Sequence, residues 1–285
     1  MPTFDPFDAS TDRDPDAALA ARRRAAPATG RRLLVVTGGH PFDAATFGTL
    51  LDSLEGWQWT RWNHPEAAAR IAAGEAQAFH ALLFYDMAGY RFADGGMTVR
   101  APAPEYVRAL ESLLDAGTGC VFLHHALAGW AAWPGWAELV GGRFLYAPDL
   151  VRGTPRPDSG YAPGVRYEAE VVAEHPVTGG LPPRFELVDE LYLAEVFEAD
   201  VVPLLRARHG LAPGEFRSAA AAIAGRDATV GPGRAPGSDL IAWARTVRAA
   251  RLAYLQCGDG PSTFANAHFR RLLANALAWV AREPR

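Results

Sequence analysis

Short apolar runs alternate with segments of helical spacing along the first half of the chain. Continuous apolar runs at 33–36, 81–85 and 120–123 are typical of fully buried strands, whereas residues 57–62 alternate in the manner of a half-buried strand. Between these runs, apolar residues recur at helical spacing over 44–54, 65–73 and 104–115. Strands that alternate with helices predict βαβ units, and therefore a parallel sheet with helices on both faces.

The second half of the chain has a less regular pattern. It predicts further strands over 165–172, 185–196, 203–206, 240–244 and 252–255, surface loops over 149–164 and 225–238, and a closing helix over 262–282 with Ser262 as its cap. Residues 1–30 combine five aspartates and three consecutive arginines with prolines and few large apolar residues. This composition predicts a flexible tail before a single α/β domain over residues 31–285.

Composition narrows the class of protein. The 285 residues are 49% hydrophobic and 21% charged, which is ordinary for a globular chain that can bury a substantial core. A net charge of −4 gives no electrostatic argument for a nucleic-acid partner. The two cysteines have no metal-site spacing, the N-terminus has no signal-peptide pattern, and no apolar run approaches the ~20 residues of a membrane span. These features predict a cytoplasmic protein without a membrane segment.

Polar side chains follow several predicted strands at the point where each strand ends. His40 comes shortly after the first strand, Asp86 after the third, His124 and His125 after the fourth, and Asp259 after the last. Ligands of open parallel sheets bind beyond the carboxyl ends of the strands, so we expect these side chains around one pocket.

His124 and His125 are adjacent in the sequence, which limits how many of their side chains can face the pocket. Neighbours along a strand point to opposite faces, so only one of the two rings would enter the pocket unless the chain turns sharply there. We favour His124 and leave His125 open. A turn residue or helix cap is an equally good interpretation of His40.

A second candidate segment lies near residue 190. Asp189 and Glu190 interrupt an apolar alternating stretch and precede Tyr192. Such carboxylates belong either to a solvated strand edge or to a polar pocket. Beside imidazoles they suit general acid–base catalysis or binding of a divalent metal, for which His40, His124 and Glu190 are the candidate ligands. Spacing alone does not choose between these chemistries.

Other catalytic motifs are weak or missing. Cys257 lies at a predicted strand end without an obvious base beside it, so a Cys257-dependent hydrolase remains an alternative, whereas Cys120 is expected in the core. The sequence has no Walker loop and no GxSxG elbow, and Gly38-Gly39 lacks the third glycine of a dinucleotide fingerprint. No nucleotide cofactor is therefore expected.

Several motifs resemble the ThuA-like (trehalose-utilisation) family, in matching order over about residues 31–282. They are Gly38-Gly39-His40, the segment 119–124, WAELVGGRF at 136–144, the HPVT and DELY tetrapeptides at 175–178 and 189–192, and the segment 253–258 that leads into Thr263-Phe264. The resemblance implies a flavodoxin-like three-layer α/β sandwich with a mostly parallel sheet, similar to class I glutamine amidotransferases. Those enzymes place a nucleophilic cysteine where this chain has His124, which argues against glutamine hydrolysis.

The resemblance also implies carbohydrate utilisation, including disaccharide and keto-sugar metabolism. We therefore expect an enzyme that acts on a sugar or keto-sugar derivative, with a non-catalytic carbohydrate-binding module as the main alternative. The expected catalytic groups are His124, His40, Asp189 and Glu190, and the expected substrate-binding groups are Tyr192, Trp130, Asp86, His125 and Asp259. The oligomeric state, including a homo-oligomer, is left open.

Overall fold

The computed structural model of the protein describes residues 30–93, 96–235 and 237–281. The predicted tail over 1–30 lies outside the described residues, apart from Gly30. The strands are β1 (Arg31–Gly38), β2 (Trp57–Asn63), β3 (Ala81–Asp86), β4 (Tyr90–Ala93), β5 (Gly96–Val99), β6 (Cys120–Leu123), β7 (Gly142–Arg143), β8 (Asp149–Val151), β9 (Thr154–Arg156), β10 (Gly160–Val171), β11 (Arg184–Leu193), β12 (Glu195–Val196), β13 (Val202–Arg208), β14 (Arg217–Ser218), β15 (Leu240–Val247) and β16 (Ala250–Leu255). The helices are α1 (Ala44–Asp52), α2 (Glu66–Ala72), α3 (Pro104–Asp115), α4 (Pro134–Val140), α5 (Ala219–Ile223), α6 (Pro261–Ala265) and α7 (Ala267–Val280).

One ten-stranded sheet organises these elements. Its order is β11-β10-β13-β15-β16-β6-β3-β1-β2, and β14 also pairs with β10. The five strands from β16 to β2 are parallel to one another. Three of them are the continuous apolar runs of the sequence, and their central residues are fully buried. The predicted α/β fold around a parallel sheet is therefore confirmed.

The remaining strands extend the sheet in antiparallel fashion. β15 and β16 are joined by Arg248 and Ala249 alone, and a connection that short permits only an antiparallel pair. β13, β10 and β11 continue the antiparallel order. The prediction of a surface loop over 149–164 is wrong in part, because this stretch contains the β8–β9 hairpin and the start of β10.

Helices cover both faces of the parallel half and produce three layers. α1, α6 and α7 pack on one face, where Phe47, Phe264 and Phe269 meet the odd-numbered apolar residues of β1. α2, α3 and α4 pack on the other face, where Leu110 and Trp136 join the same cluster as the even-numbered residues. The alternate residues of a buried strand point to opposite faces, so a continuous apolar run supplies both layers.

The closing helix differs from its prediction in one respect. The predicted helix is interrupted at Asn266. The side chain of Asn266 accepts hydrogen bonds from the backbone N–H groups of His268 and Phe269. Asn266 therefore caps α7, and Ser262 lies inside the short α6 rather than at a cap. Within the described residues, no helix is both long and apolar enough to cross a membrane.

Candidate active site at the carboxyl edge of the sheet

The chain turns sharply where β6 ends. His124 has φ of +50°, an uncommon value for a residue other than glycine, and it begins a short 3-10 helix over His124–Ala128. The hydroxyl of Tyr254 donates to the His124 carbonyl at 3.0 Å and holds this turn. As a result both histidines face the same site: the Tyr192 hydroxyl lies 2.9 Å from His124 Nε2 and 3.1 Å from His125 Nδ1.

The orientation of the His124 ring is defined by the backbone. Its Nδ1 lies 2.5 Å from the carbonyl oxygen of Gln256, and because a carbonyl oxygen can only accept, Nδ1 carries a hydrogen. Nε2 is therefore the nitrogen that faces the polar groups of the site. It lies 3.3 Å from Glu190 Oε2 and 3.3 Å from Asp259 Oδ1.

These groups perturb one another strongly. Burial by itself lowers the pKa of His124, but hydrogen bonds and charges from Asp259 and Glu190 outweigh burial, so the pKa lies well above its ordinary value. Burial raises the pKa of Glu190. Burial also lowers the pKa of His125 well below its ordinary value, and the neighbouring His40 and His124 act in the same direction. His125 is therefore a neutral imidazole at neutral pH.

Asp189 was expected among the catalytic groups, but its carboxylate points away from the cavity. One oxygen accepts from the N–H of Gly258 at 2.6 Å and from the Thr263 hydroxyl at 2.8 Å. The other accepts from the N–H groups of Glu190 and Asp259 at 2.8 and 3.1 Å. Burial raises the pKa of Asp189 to about 6, which leaves it ionised at neutral pH. Asp189 therefore holds the loop that presents Asp259.

His40 lies in the cavity wall, with its ring centroid 4.3 Å from that of His125. Its two nitrogens lie 3.0 and 3.2 Å from the carbonyl oxygens of Pro41 and Tyr85. Neither nitrogen is directed at the carboxylates, so the structure does not support His40 as a metal ligand. His125, which the sequence left open, lines the same cavity.

Three other candidates lie outside the cavity lining. Asp86 is fully buried and its Oδ2 lies 3.1 Å from His64 Nε2, behind the site. Trp130 is a core residue that packs against Tyr106 and His64, so it does not form a wall for a sugar ring. Cys257 is fully buried, and burial raises the pKa of its thiol well above the ordinary value. A thiolate nucleophile is disfavoured there.

The cavity above the histidines has a volume of about 340 Å³, within the ~300–1,000 Å³ that ligand pockets span. Its walls are largely aromatic and its floor is polar. The residues that line it are His40, Pro41, Met87, His125, Ala128, Phe144, Tyr146, Tyr161, Pro163, Glu190, Tyr192, Arg217 and Asp259. Phe144, Tyr146, Tyr161 and Arg217 were not predicted as site residues, although Phe144 ends the WAELVGGRF motif.

A wider groove of about 850 Å³ lies along the antiparallel strands. Its charged side chains pair with one another: Arg206 contacts Glu198 and Asp239, and Arg208 also contacts Asp239. Pairs of this partly exposed kind contribute little and leave few charges free for a ligand. The smaller cavity is therefore the better candidate for chemistry.

Comparisons with known proteins agree with this architecture. A family model for ThuA, described as trehalose utilisation, matches residues 77–280. Similar solved structures include a ThuA-like protein from Bacteroides uniformis ATCC 8492, with 19% identity, a TM-score of 0.61 and coverage of 90% of this chain and 94% of that one. A ThuA-like protein from Parabacteroides merdae ATCC 43184 has 13% identity, a TM-score of 0.63 and coverage of 90% and 93%.

A third similar structure is a cytoplasmic protein from Salmonella typhimurium, with 12% identity, a TM-score of 0.53 and coverage of 88% of this chain and 99% of that one. At these identities the likeness supports the fold alone. No curated protein matches the chain.

Proposed function

Since the chain belongs to the ThuA family, we propose that it is an enzyme that transfers protons on a sugar or keto-sugar derivative. The observation that supports this most is the convergence of two imidazoles, two carboxylates and a phenol at one cavity, which all of them except the buried His124 line. These groups belong to His124, His125, Glu190, Asp259 and Tyr192. Imidazole and carboxylate side chains are the usual general acids and bases of enzymes.

The shape and lining of the cavity suit a carbohydrate. Phe144, Tyr146, Tyr161 and Tyr192 supply aromatic surfaces on which the C–H face of a sugar ring can stack. The polar lining residues supply donors and acceptors for hydroxyl groups, and Arg217, whose guanidinium group only donates, also lines the cavity. The description of the family as trehalose utilisation supports the same class of substrate.

Proton transfer at carbon favours a substrate with a carbonyl group. A C–H bond of a sugar is acidic enough for a carboxylate only when a neighbouring carbon is a ketone or aldehyde. In the proposed step, Glu190 removes that proton, the C–H electron pair forms the enol double bond, and Tyr192 or His125 donates a hydrogen bond to the developing oxyanion. Return of the proton to carbon completes an epimerisation or isomerisation, and loss of a group from the next carbon completes an elimination.

The experiment is a turnover assay with disaccharides, including trehalose, and their keto derivatives, followed by NMR. We expect the keto forms to be converted, and Glu190→Gln and His125→Gln to lower the rate at least about 100-fold. Glu186→Gln, on the same strand but exposed, and His209→Gln, also exposed, are the matched controls. Tight sugar binding without turnover would contradict the proposed enzymatic activity and favour a non-catalytic carbohydrate-binding module.

Location and partners stay predictions. The similar protein from Salmonella typhimurium is described as cytoplasmic, which supports a cytoplasmic location here. The expectations of a small-molecule carbohydrate partner, of no nucleic-acid or membrane partner and of no nucleotide cofactor also await direct measurement.

A further inference from the structure

Four side chains, three of which line the cavity, bring their ligand atoms close together. The ligand atoms of His124, His125, Glu190 and Asp259 all lie within 4.8 Å of one another. His124 Nε2 is 3.3 Å from an oxygen of each carboxylate. Two ligands about 2.1 Å from one tetrahedral ion are separated by about 3.4 Å, and the two 3.3 Å contacts of His124 Nε2 match this spacing.

The hydrogen bonds around His124 are those typical of a metal-binding histidine. Its Nδ1 donates to the Gln256 carbonyl, and this bond aims Nε2 at the two carboxylates. Metal-bound histidines nearly always donate their other nitrogen in this way. The turn at His124 and the Tyr254 hydrogen bond to its carbonyl restrict the backbone as well.

The charge balance of the site calls for a cation. Glu190 and Asp259 bring two acceptors to the Nε2 atom, and among the described residues their ion pairs are with His124 alone. Glu190 and His124 are largely withdrawn from solvent, with 12% and 0% of their side chains exposed. Two carboxylates that share one imidazolium leave one negative charge uncompensated, and a divalent ion at their shared point would balance both carboxylates.

We propose that His124, His125, Glu190 and Asp259 bind one divalent first-row transition-metal ion, such as Mn²⁺ or Zn²⁺. Two imidazoles with two carboxylates favour such ions over Mg²⁺ and Ca²⁺, which prefer oxygen ligands alone. The inference deepens the proposed function, on which its catalytic meaning rests, because an ion beside the cavity would polarise the carbonyl oxygen of a keto-sugar. Each carboxylate has two oxygens, so an ion bound through one leaves the other to accept a proton.

The test measures metal binding without substrate. Full-length protein without a histidine tag is treated with chelator, and then titrated with Mn²⁺ and with Zn²⁺ by calorimetry. We expect one ion per chain for the wild type, and at least about tenfold weaker binding for Asp259→Asn and Glu190→Gln. Asp115→Asn and Glu186→Gln, which change exposed carboxylates far from the cluster, should bind like the wild type.

Cobalt(II) gives a second readout. Its visible d–d bands should appear with one equivalent of ion and change in Asp259→Asn, a variant that is expected to fold because 45% of the Asp259 side chain is exposed. Absence of stoichiometric binding to the wild type, or equal affinity in the ligand variants, would overturn the metal site. Turnover of keto-sugars by metal-free protein at the same rate would overturn the catalytic role of the ion while leaving the proposed function standing. A bound ion without turnover of any keto-sugar would support the metal site and overturn the proposed function.

Discussion

The Tyr192 hydroxyl lies 2.9 Å from His124 Nε2 although 68 residues separate the two along the chain. It also lies 3.1 Å from His125 Nδ1, so one phenol bridges two adjacent imidazoles. This contact joins the end of β6 in the parallel half to the end of β11 at the antiparallel edge. The candidate site therefore exists only when both halves of the sheet are assembled.

Removal of this bridge should impair catalysis without unfolding the protein. In Tyr192→Phe the ring keeps its contacts with His124 and Phe144, but the hydrogen bonds to both imidazoles are lost. We expect kcat to fall about 100-fold in a protein that stays folded, with a Tm lower by only a few degrees. Tyr167→Phe is the control, because the Tyr167 hydroxyl is buried without a partner among the described residues. Full activity of Tyr192→Phe would remove the phenol from the mechanism.

Asp189 should matter for stability rather than directly for chemistry. The side chain keeps its size in Asp189→Asn. However, the new NH₂ group would face N–H or O–H groups that now donate to the carboxylate, so two donors would meet and hydrogen bonds would be lost. We expect the free energy of unfolding to fall by about 2–4 kcal/mol in denaturant titrations. Asp115→Asn, at an exposed ion pair, should change it by less than about 1 kcal/mol. Equal effects of the two variants would contradict this role.

Arg217 is expected to contribute to substrate affinity. Its guanidinium lines the cavity, and its nearest carboxylate partner, Asp227, is 4.0 Å away. Arg217→Gln should raise KM about tenfold and leave kcat near the wild-type value, because a charged hydrogen bond to a sugar hydroxyl would be lost in ground and transition states alike. Steady-state kinetics with Arg226→Gln, an exposed arginine outside the cavity, provides the comparison. An unchanged KM would exclude Arg217 from binding.

Both cysteines should be inert in the folded protein. Cys120 and Cys257 are fully buried, and burial raises the pKa of each thiol. A thiol reagent should therefore label neither cysteine under native conditions and both after denaturation. Cys257→Ser should remain active. Native labelling of one thiol per chain with parallel loss of activity would instead support the cysteine hydrolase.

Much of the parallel half of the fold could be predicted because its strands are continuous apolar runs. The strand predicted over 120–123 has the observed bounds, and the other runs were predicted within two residues of their ends. The antiparallel half of the sheet was harder to predict from the sequence, because the pairing of its strands depends on contacts between distant segments. The break at Asn266 was missed because apolar residues continue at helical spacing across it.

The candidate site was predictable where residues follow strands and unpredictable where it depends on turns. His124, His125 and Asp259 were identified by position alone. Whether both imidazoles share the site is decided by the positive φ of His124, which no residue pattern reveals. Arg217 has no local signal because its place follows from a two-residue strand that pairs with β10 opposite Tyr161.

The most direct test of the account is deuterium exchange at the carbon next to the carbonyl of a keto-disaccharide, followed by ¹H NMR in D₂O. The wild type should exchange that hydrogen far faster than buffer does, Glu190→Gln should exchange it at least about 100-fold more slowly, and Glu186→Gln should match the wild type. Exchange by Glu190→Gln at the wild-type rate, or no exchange by the wild type with any keto-sugar that it binds, would contradict proton transfer at this site.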